Sequence, residues 1–234
     1  MNKRLHMAWI LAVLVMAGCN KQLPIINESD TYAICNDLLV ACSGHQPGSY
    51  CLFGYKWGPE ASSIVPGLES TGPQVAGGTL TYSFQEKNGT LSTHRQVDIP
   101  SESWDEILDC AQENIREAFT EWSSETNVSF QELSINSKAD IKIYVAATVQ
   151  SAVAFPNYEE APCDALSGVM VFDANSREKS CSAFYINALH EIGHVLGLGH
   201  VNTGQVMASD RSKFSYKGLQ PGDIAGARQL YGEK

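Results

Sequence analysis

The eleven residues from 190 to 200 constrain this chain more than any other part of its sequence. They read HEIGHVLGLGH, and an apolar helical pattern runs into them from upstream. On a helix, His190 and His194 lie one turn apart on the same face, so their imidazoles can converge on one cation. Gly197 allows a left-handed backbone conformation that ends the helix, and His200 can return to the same point from the next loop. The spacing therefore predicts three converging imidazoles.

The chemistry of this cluster favours a catalytic zinc ion. Neutral imidazole suits zinc, and three protein ligands with one open position are typical of catalytic zinc sites. Glu191 follows the first ligand on the same helix, where it can address water at the metal without becoming a ligand. We therefore predict one zinc ion held by the three histidines, with Glu191 as the catalytic residue. We interpret His45 and His94, which lie in loop-like regions, as solvated or structural.

The stretch HExxHxxGxxH, followed by Met207, resembles the signature of the metzincin zinc endopeptidases. Its Gly-Leu-Gly-His ending resembles the matrixins, the matrix-metalloproteinase group, and the resemblance covers residues 79–232. It implies hydrolysis of internal peptide bonds, in which Glu191 takes a proton from water bound to the zinc. It implies that Met207 forms a methionine turn, a hydrophobic floor beneath the metal. The implied fold class is α+β, with a twisted, mostly parallel mixed sheet, about three helices, an active-site helix and the methionine turn.

Several features differ from the usual matrixin pattern. Residues 209–211, Ser-Asp-Arg, stand where matrixins usually have the Pro-x-Tyr wall of the specificity pocket, so the S1′ pocket is undefined. The His- and Asp-rich segment that holds a structural zinc and calcium in many matrixins is absent between residues 146 and 180. We therefore expect one zinc ion, and calcium is not supported. Cys163 and Cys181 could staple that loop instead. The cysteine-switch motif is absent, so we do not expect that form of latency.

The N-terminus predicts export. Lys3 and Arg4 precede an apolar run of about ten residues, which is typical of a signal peptide and too short to span a bilayer comfortably. The run ends in Met-Ala-Gly-Cys, which resembles a bacterial lipoprotein signal and implies cleavage before Cys19 and lipidation of its thiol. Asn20 then favours the outer membrane in the Gram-negative system. An ordinary signal peptide cleaved nearby, or a short N-terminal anchor, is the alternative.

Cysteines and composition predict the domain organisation. Six of the seven cysteines remain after Cys19, and an even number in an exported chain suggests disulfides, with fifteen connectivities for three bridges. Buried free thiols are the alternative. Gly, Pro and Ser are frequent in residues 20–78, which is typical of a loop-rich extension. We predict a signal peptide at 1–18, a lipidated extension and linker at 19–78, and a protease domain at 79–234.

Hydrophobic periodicity predicts alternating strands and helices in the protease domain. Leu80, Tyr82 and Phe84 alternate with polar residues, as in a half-buried strand. A capping box at Ser103 and Glu106 predicts the start of a helix that runs through Trp122 with one apolar face. Further strands are predicted at residues 128–133, 141–145, 152–155 (a short edge strand) and 168–172.

The net charge of the chain limits the classes of molecule that it can bind by general electrostatic attraction. The chain has 16 Lys and Arg against 26 Asp and Glu, a net charge of −10, so it has no general attraction for nucleic acid or anionic lipid. We expect a monomer that acts on protein or peptide and contacts the membrane only through lipidated Cys19. One alternative is a catalytically silent surface adhesion or binding lipoprotein whose zinc site is structural or vestigial, although Glu191 argues against it. Another is a protease whose cleft is covered by residues 20–78, which a truncation near Gly78 would test.

Overall fold

The computed structural model describes residues 50–53, 55–57, 78–87, 89–92, 98–147, 151–158, 166–175, 180–202, 204–211 and 215–234. These ranges do not include the predicted signal peptide, the predicted lipidation site Cys19, His45, His94 or three further cysteines (Cys35, Cys42 and Cys163). The strands are β1 (Thr79–Phe84), β2 (Thr90–Ser92), β3 (Asp98–Pro100), β4 (Ser129–Glu132), β5 (Ile141–Ala146), β6 (Ala152–Ala154) and β7 (Val169–Asp173). The α-helices are α1 (Ala111–Glu125), α2 (Cys181–Leu196) and α3 (Pro221–Tyr231).

Five strands form a mixed sheet in the order β4-β1-β5-β7-β6. β4, β1, β5 and β7 are parallel, and only β6 is antiparallel to its neighbour. Every residue of β7 is buried, as expected for an inner strand of a parallel sheet, whereas β4 at one edge has no fully buried residue. This arrangement confirms the predicted α+β fold with its mostly parallel sheet. β2 and β3 form a separate antiparallel pair that the sequence pattern did not predict.

The first helix begins later than predicted. The Ser103 hydroxyl accepts a hydrogen bond from the Asp105 amide, but the structure that it caps is a single 3₁₀ turn at Trp104–Glu106. Ile107 then takes an extended conformation with φ −118° and ψ −164°, and this interrupts the helical hydrogen bonds. α1 starts at Ala111, so the predicted helix start at the capping box is wrong by about two turns.

Helices α1 and α2 pack against each other beside the sheet. The buried Trp122 indole of α1 donates to the Leu189 carbonyl of α2 at 3.0 Å. A disulfide joins Cys110, immediately before α1, to Cys181 at the start of α2, with a Cα–Cα distance of 5.9 Å. This pairing overturns the expectation that Cys163 staples its loop to Cys181. The two helices begin side by side, which brings cysteines 71 residues apart in sequence into contact.

Residues 50–53 and 55–57 pack against the core, although the sequence predicts them to be part of an irregular extension. The side chains of Cys51, Phe53, Tyr55 and Trp57 are all buried, in an alternating pattern typical of extended chain. Cys51 is disulfide-bonded. The boundary between extension and protease domain near residue 78 stays a prediction. Within the part of the chain that the structure describes, no helix is long and apolar enough to span a membrane.

Candidate metal centre

Helix α2 presents the first two histidines, and its end sets the path to the third. Ser180 caps the helix by accepting from the Ala183 amide, and the helix runs to Leu196. Gly197 then adopts a left-handed conformation with φ +105°, and its N–H donates to carbonyls of the preceding turn. This is the predicted helix stop. A residue with a Cβ would be strained there, whereas glycine turns the chain back toward the helix at low cost.

The turn brings three imidazoles to one point. The Nε2 atoms of His190, His194 and His200 lie 3.1 Å from one another in all three pairs. Tetrahedral zinc with Zn–N bonds of about 2.1 Å separates its ligand nitrogens by about 3.4 Å, so this spacing fits the ion closely. Among the described residues, no other three His, Cys, Asp or Glu side chains bring their ligand atoms within 4.8 Å of one another.

Hydrogen bonds from the other ring nitrogen, Nδ1, fix the tautomer of two of these imidazoles. The Nδ1 of His190 lies 2.7 Å from the Val206 carbonyl, and the Nδ1 of His194 lies 2.8 Å from the Leu198 carbonyl. Because a carbonyl can only accept, each Nδ1 carries the proton and each Nε2 presents a lone pair. Burial, together with the neighbouring rings, holds the pKa of His190 and His194 well below its ordinary value. Burial, and secondarily Arg211, also lowers the pKa of His200. Neutral, lone-pair-bearing nitrogens that face each other are suited to a cation.

Glu191 is buried beside this cluster without joining it. Its side chain is 4% exposed, and its Oε2 atom has no hydrogen-bond partner among the residues that the structure describes. Burial raises the pKa of Glu191 to about 7, and the Arg211 guanidinium opposes that shift. A buried carboxylate oxygen without a protein partner calls for water or substrate, because burying it alone is costly.

Met207 packs against Gly193, in the turn of α2 that carries His190 and His194. A Cβ built on Gly193 would be 3.1 Å from the Met207 Cε and nearer still to its sulfur, so glycine at this position admits the methionine. The amides of Val206 and Met207 donate to the two carboxylate oxygens of Asp223 at 2.9 and 3.0 Å. Since the Val206 carbonyl accepts from His190, this carboxylate of α3 holds the turn that orients the first histidine.

Asp223 and Arg211 are two residues near the site whose importance the sequence did not reveal. Asp223 stands at the third position of α3, where its carboxylate also accepts from the Gln220 amide in a capping box. A capping signal is visible in the sequence, but its contact with the methionine turn is not. Arg211 donates to the Asn187 side-chain oxygen at 2.8 Å, one turn before His190 on α2.

Comparison with known families agrees with this geometry. Residues 78–232 match the family model described as matrixin. The chain belongs to the matrixin family. The predicted matrixin resemblance is therefore confirmed, and membership implies a zinc ion, which the three-histidine cluster fits.

Three matrixin relatives show how far the similarity extends. Metalloendoproteinase 1-MMP of Arabidopsis thaliana is 29% identical over 236 residues, which covers 90% of this chain and 53% of the plant protein. Metalloendoproteinase 1 of Glycine max is 32% identical over 146 residues, or 50% of this chain and 44% of that protein. Matrix metalloproteinase-19 of Homo sapiens is 29% identical over 136 residues, or 51% of this chain and 26% of the human protein. The chain thus spans about half the length of the first relative, and less of the others.

Proposed function

We propose that this matrixin is an exported zinc endopeptidase that hydrolyses internal peptide bonds. The observation that carries the proposal is the convergence of three imidazole Nε2 atoms 3.1 Å apart, next to a buried glutamate. One carboxylate oxygen of this glutamate has no hydrogen-bond partner in the described part of the chain. Family membership supports the same activity class. A site that served only to hold metal would have no need of such a carboxylate.

In this proposal each residue of the centre has one task. His190, His194 and His200 hold the zinc ion, which when bound supplies Lewis-acid chemistry that polarises a carbonyl and acidifies water. Glu191 accepts the proton of the attacking water at its carboxylate and passes it to the leaving amine, as general base and then general acid. Met207 supports the metal-binding turn from below and touches neither substrate nor water.

Strand β6 is the proposed substrate-aligning edge. It is the outermost strand of the sheet, antiparallel to β7, and the sheet that the structure describes has no further strand beyond it. An extended peptide can add to such an edge through main-chain hydrogen bonds. The Phe155 amide donates to the Val169 carbonyl across the antiparallel ladder, so the amide of the preceding residue, Ala154, faces away from β7 toward the open edge. Proline substitution at Ala154, which removes this outward N–H, should raise KM for long peptides more than for dipeptide-sized substrates. Equal KM changes for both would contradict this role.

We further propose that residues 1–18 are removed and that lipidated Cys19 anchors residues 19–78 and the protease domain at 79–234 to the cell envelope, as an outer-membrane lipoprotein. The leader sequence supports this placement. A Cys19→Ser variant expressed in a Gram-negative host is expected to leave the membrane fraction. If it stays in the membrane fraction as fully as the unmodified protein, the lipid-anchor proposal is contradicted.

The activity itself is tested on a soluble form that begins at residue 20. Casein and a mixed quenched-peptide library serve as substrates, zinc is quantified in the same sample, and cleavage sites are read by mass spectrometry. We expect one zinc per chain and cleavage at internal bonds, both lost with a chelator and restored by zinc. Zinc without cleavage of any substrate would favour a catalytically silent binding lipoprotein. Absence of zinc would contradict the proposal that the protein is a zinc endopeptidase.

A further inference from the structure

Residues 50–53 and 55–57, here called the N-terminal segment, pair with the loop between the second and third histidines. The Phe53 amide donates to the Gly197 carbonyl at 2.8 Å, and the Gly199 amide donates to the Cys51 carbonyl at 2.9 Å. Leu52 and Leu198 form the antiparallel bridge between these two hydrogen bonds. The loop that carries His200 is therefore held along its length by main chain from far upstream in the sequence.

The same segment also contacts the second histidine and its helix. The Phe53 ring stacks on the His194 imidazole, with centroids 5.5 Å apart and planes inclined by 19°. The Trp57 indole donates to the Val195 carbonyl at 2.8 Å, in the last turn of α2. Both aromatic side chains are buried, and the Cys51 disulfide adds a covalent restraint at the start of the segment.

These contacts act on one histidine both directly and through its hydrogen-bond partner. The His194 ring is stacked on one face by Phe53, and its Nδ1 donates to the Leu198 carbonyl. Leu198 itself is held by its bridge to Leu52. Partners that orient a ligand from behind raise metal affinity because the ligand geometry is formed before the ion arrives.

We infer that the N-terminal segment is a positioning element of the metal centre. It holds the His194 ring and the His200 loop in the geometry that binds zinc, and zinc affinity depends on it. Phe53 is its principal positioning residue. This inference rests on the proposed zinc site and deepens it. It also means that the extension is not simply a removable cover, because part of it is built into the centre. A truncation near Gly78 would remove that part together with any cover.

The test compares two Phe→Leu variants of the chain from residue 20, both at buried aromatic positions. Phe53→Leu removes the ring that stacks on His194. Phe119→Leu is the matched control, because the Phe119 ring stacks on Tyr82, with centroids 4.4 Å apart, and packs at a tilt against Phe130, with centroids 4.5 Å apart. These rings, and not the histidines of the centre, are its aromatic contacts among the described residues. Zinc dissociation constants are measured by competition with a chromophoric chelator. The visible spectrum of the cobalt-loaded protein reports ligand geometry, and urea unfolding of the metal-free protein reports stability.

We expect Phe53→Leu to weaken zinc binding by about tenfold, within the range seen when a residue supporting a metal ligand is lost, and to shift the cobalt bands. Phe119→Leu should lose comparable stability yet keep its zinc affinity within about twofold and its cobalt spectrum unchanged. Phe53→Tyr should restore both readouts because it keeps the ring. The inference is overturned if Phe53→Leu keeps the zinc affinity of the unmodified protein, or if both Leu variants weaken zinc binding equally.

A second measurement uses the unmodified protein and does not depend on how the variants fold. Coupling between two sites is reciprocal, so zinc must stabilise the segment if the segment stabilises zinc binding. Zinc loading is expected to protect the Phe53 amide from hydrogen exchange more than it protects amides in the middle of α1. Equal protection of both would overturn the inference. A protein that binds no zinc would instead contradict the proposed function, so the two failures are distinguishable.

Discussion

Replacing Gly197 with alanine adds one atom, a Cβ, at the point where the loop between His194 and His200 meets the N-terminal segment. Gly197 has φ +105°, and a Cβ built there would collide with the Tyr55 carbonyl oxygen and lie 3.2 Å from its carbon. The obstacle is backbone of the N-terminal segment, which cannot swing aside as the end of a flexible side chain can. Gly197→Ala must therefore move the segment, the loop or both.

The size of the effect follows from two separable costs. A non-glycine residue at strongly positive φ costs about 1–3 kcal/mol, and overpacking a filled site costs about another 1–3 kcal/mol. Gly232 also has a positive φ, of +82°, and a Cβ there would meet nothing within 4 Å, so Gly232→Ala is a control without a collision. Its ψ of 169° differs from the 15° of Gly197, so the backbone costs of the two variants are not equal. Both costs together predict that Gly197→Ala destabilises the protein by about 2–6 kcal/mol, reduced by about 0.4–1 kcal/mol because alanine restricts the unfolded chain.

The assay is urea unfolding of the two metal-free variants, followed by zinc titration of each. Gly197→Ala is expected to lose free energy of unfolding in that range and also to bind zinc more weakly, because the displaced loop carries His200. Gly232→Ala should keep the zinc affinity of the unmodified protein. The reasoning is refuted if Gly197→Ala loses less than about 1 kcal/mol, since the positive φ alone should cost that much and the collision with Tyr55 would then not exist.

Three further predictions concern stability. At a free zinc concentration 1,000 times the dissociation constant, chelation should lower the free energy of unfolding by about 4 kcal/mol in urea titrations; superimposable curves would contradict a folded-state zinc site. Replacing Cys110 and Cys181 together by serine should cost about 4 kcal/mol by the loop-entropy relation for a 71-residue separation, and a loss below about 1 kcal/mol would argue against that model. A hydrogen bond from Arg116 holds the pKa of Glu132 below its ordinary value of 4.5, so this pair stabilises the fold above that pH and its contribution is lost on acidification. Glu132→Gln should therefore remove less than about 1 kcal/mol at pH 7 and nothing at pH 2, because both side chains are about one-third exposed; an equal loss at both pH values would contradict the linkage.

The parts of the fold that the sequence predicted are those that local periodicity controls. Leu80, Tyr82 and Phe84 alternate with polar residues, and β1 lies there. The end of α2 at Gly197 depends on one backbone conformation that glycine alone adopts readily, so the sequence predicts it. The start of α1 could not be predicted from the capping signal at Ser103. This residue caps a short 3₁₀ turn, which ends at Ile107 before α1 begins.

Long-range contacts account for the features that the sequence did not reveal. Nothing local to residues 50–57 indicates that Phe53 meets His194, which is 141 positions further along the chain. The partner of Cys181 could not be chosen among fifteen connectivities without knowing that α1 and α2 begin side by side. The capping role of Asp223 can be predicted from the sequence. Its hydrogen bonds to the amides of Val206 and Met207 cannot, because they depend on where α3 packs. The three histidines, in contrast, lie within eleven residues, so helix geometry together with the glycine turn at Gly197 predicts that they converge.

The central claim, that Glu191 performs acid–base catalysis at a three-histidine zinc centre, is tested most directly by Glu191→Gln. This variant keeps the volume of a buried side chain but replaces the ionisable carboxyl group with an amide that cannot take up a proton. Zinc content and kcat/KM on a cleaved peptide are measured beside the unmodified protein and Asp109→Asn, a control that removes one exposed charge. We predict one zinc per chain in all three proteins and a loss of at least about a hundredfold in kcat/KM for Glu191→Gln alone. Zinc-loaded Glu191→Gln with activity within about twofold of the unmodified protein would contradict the assigned mechanism.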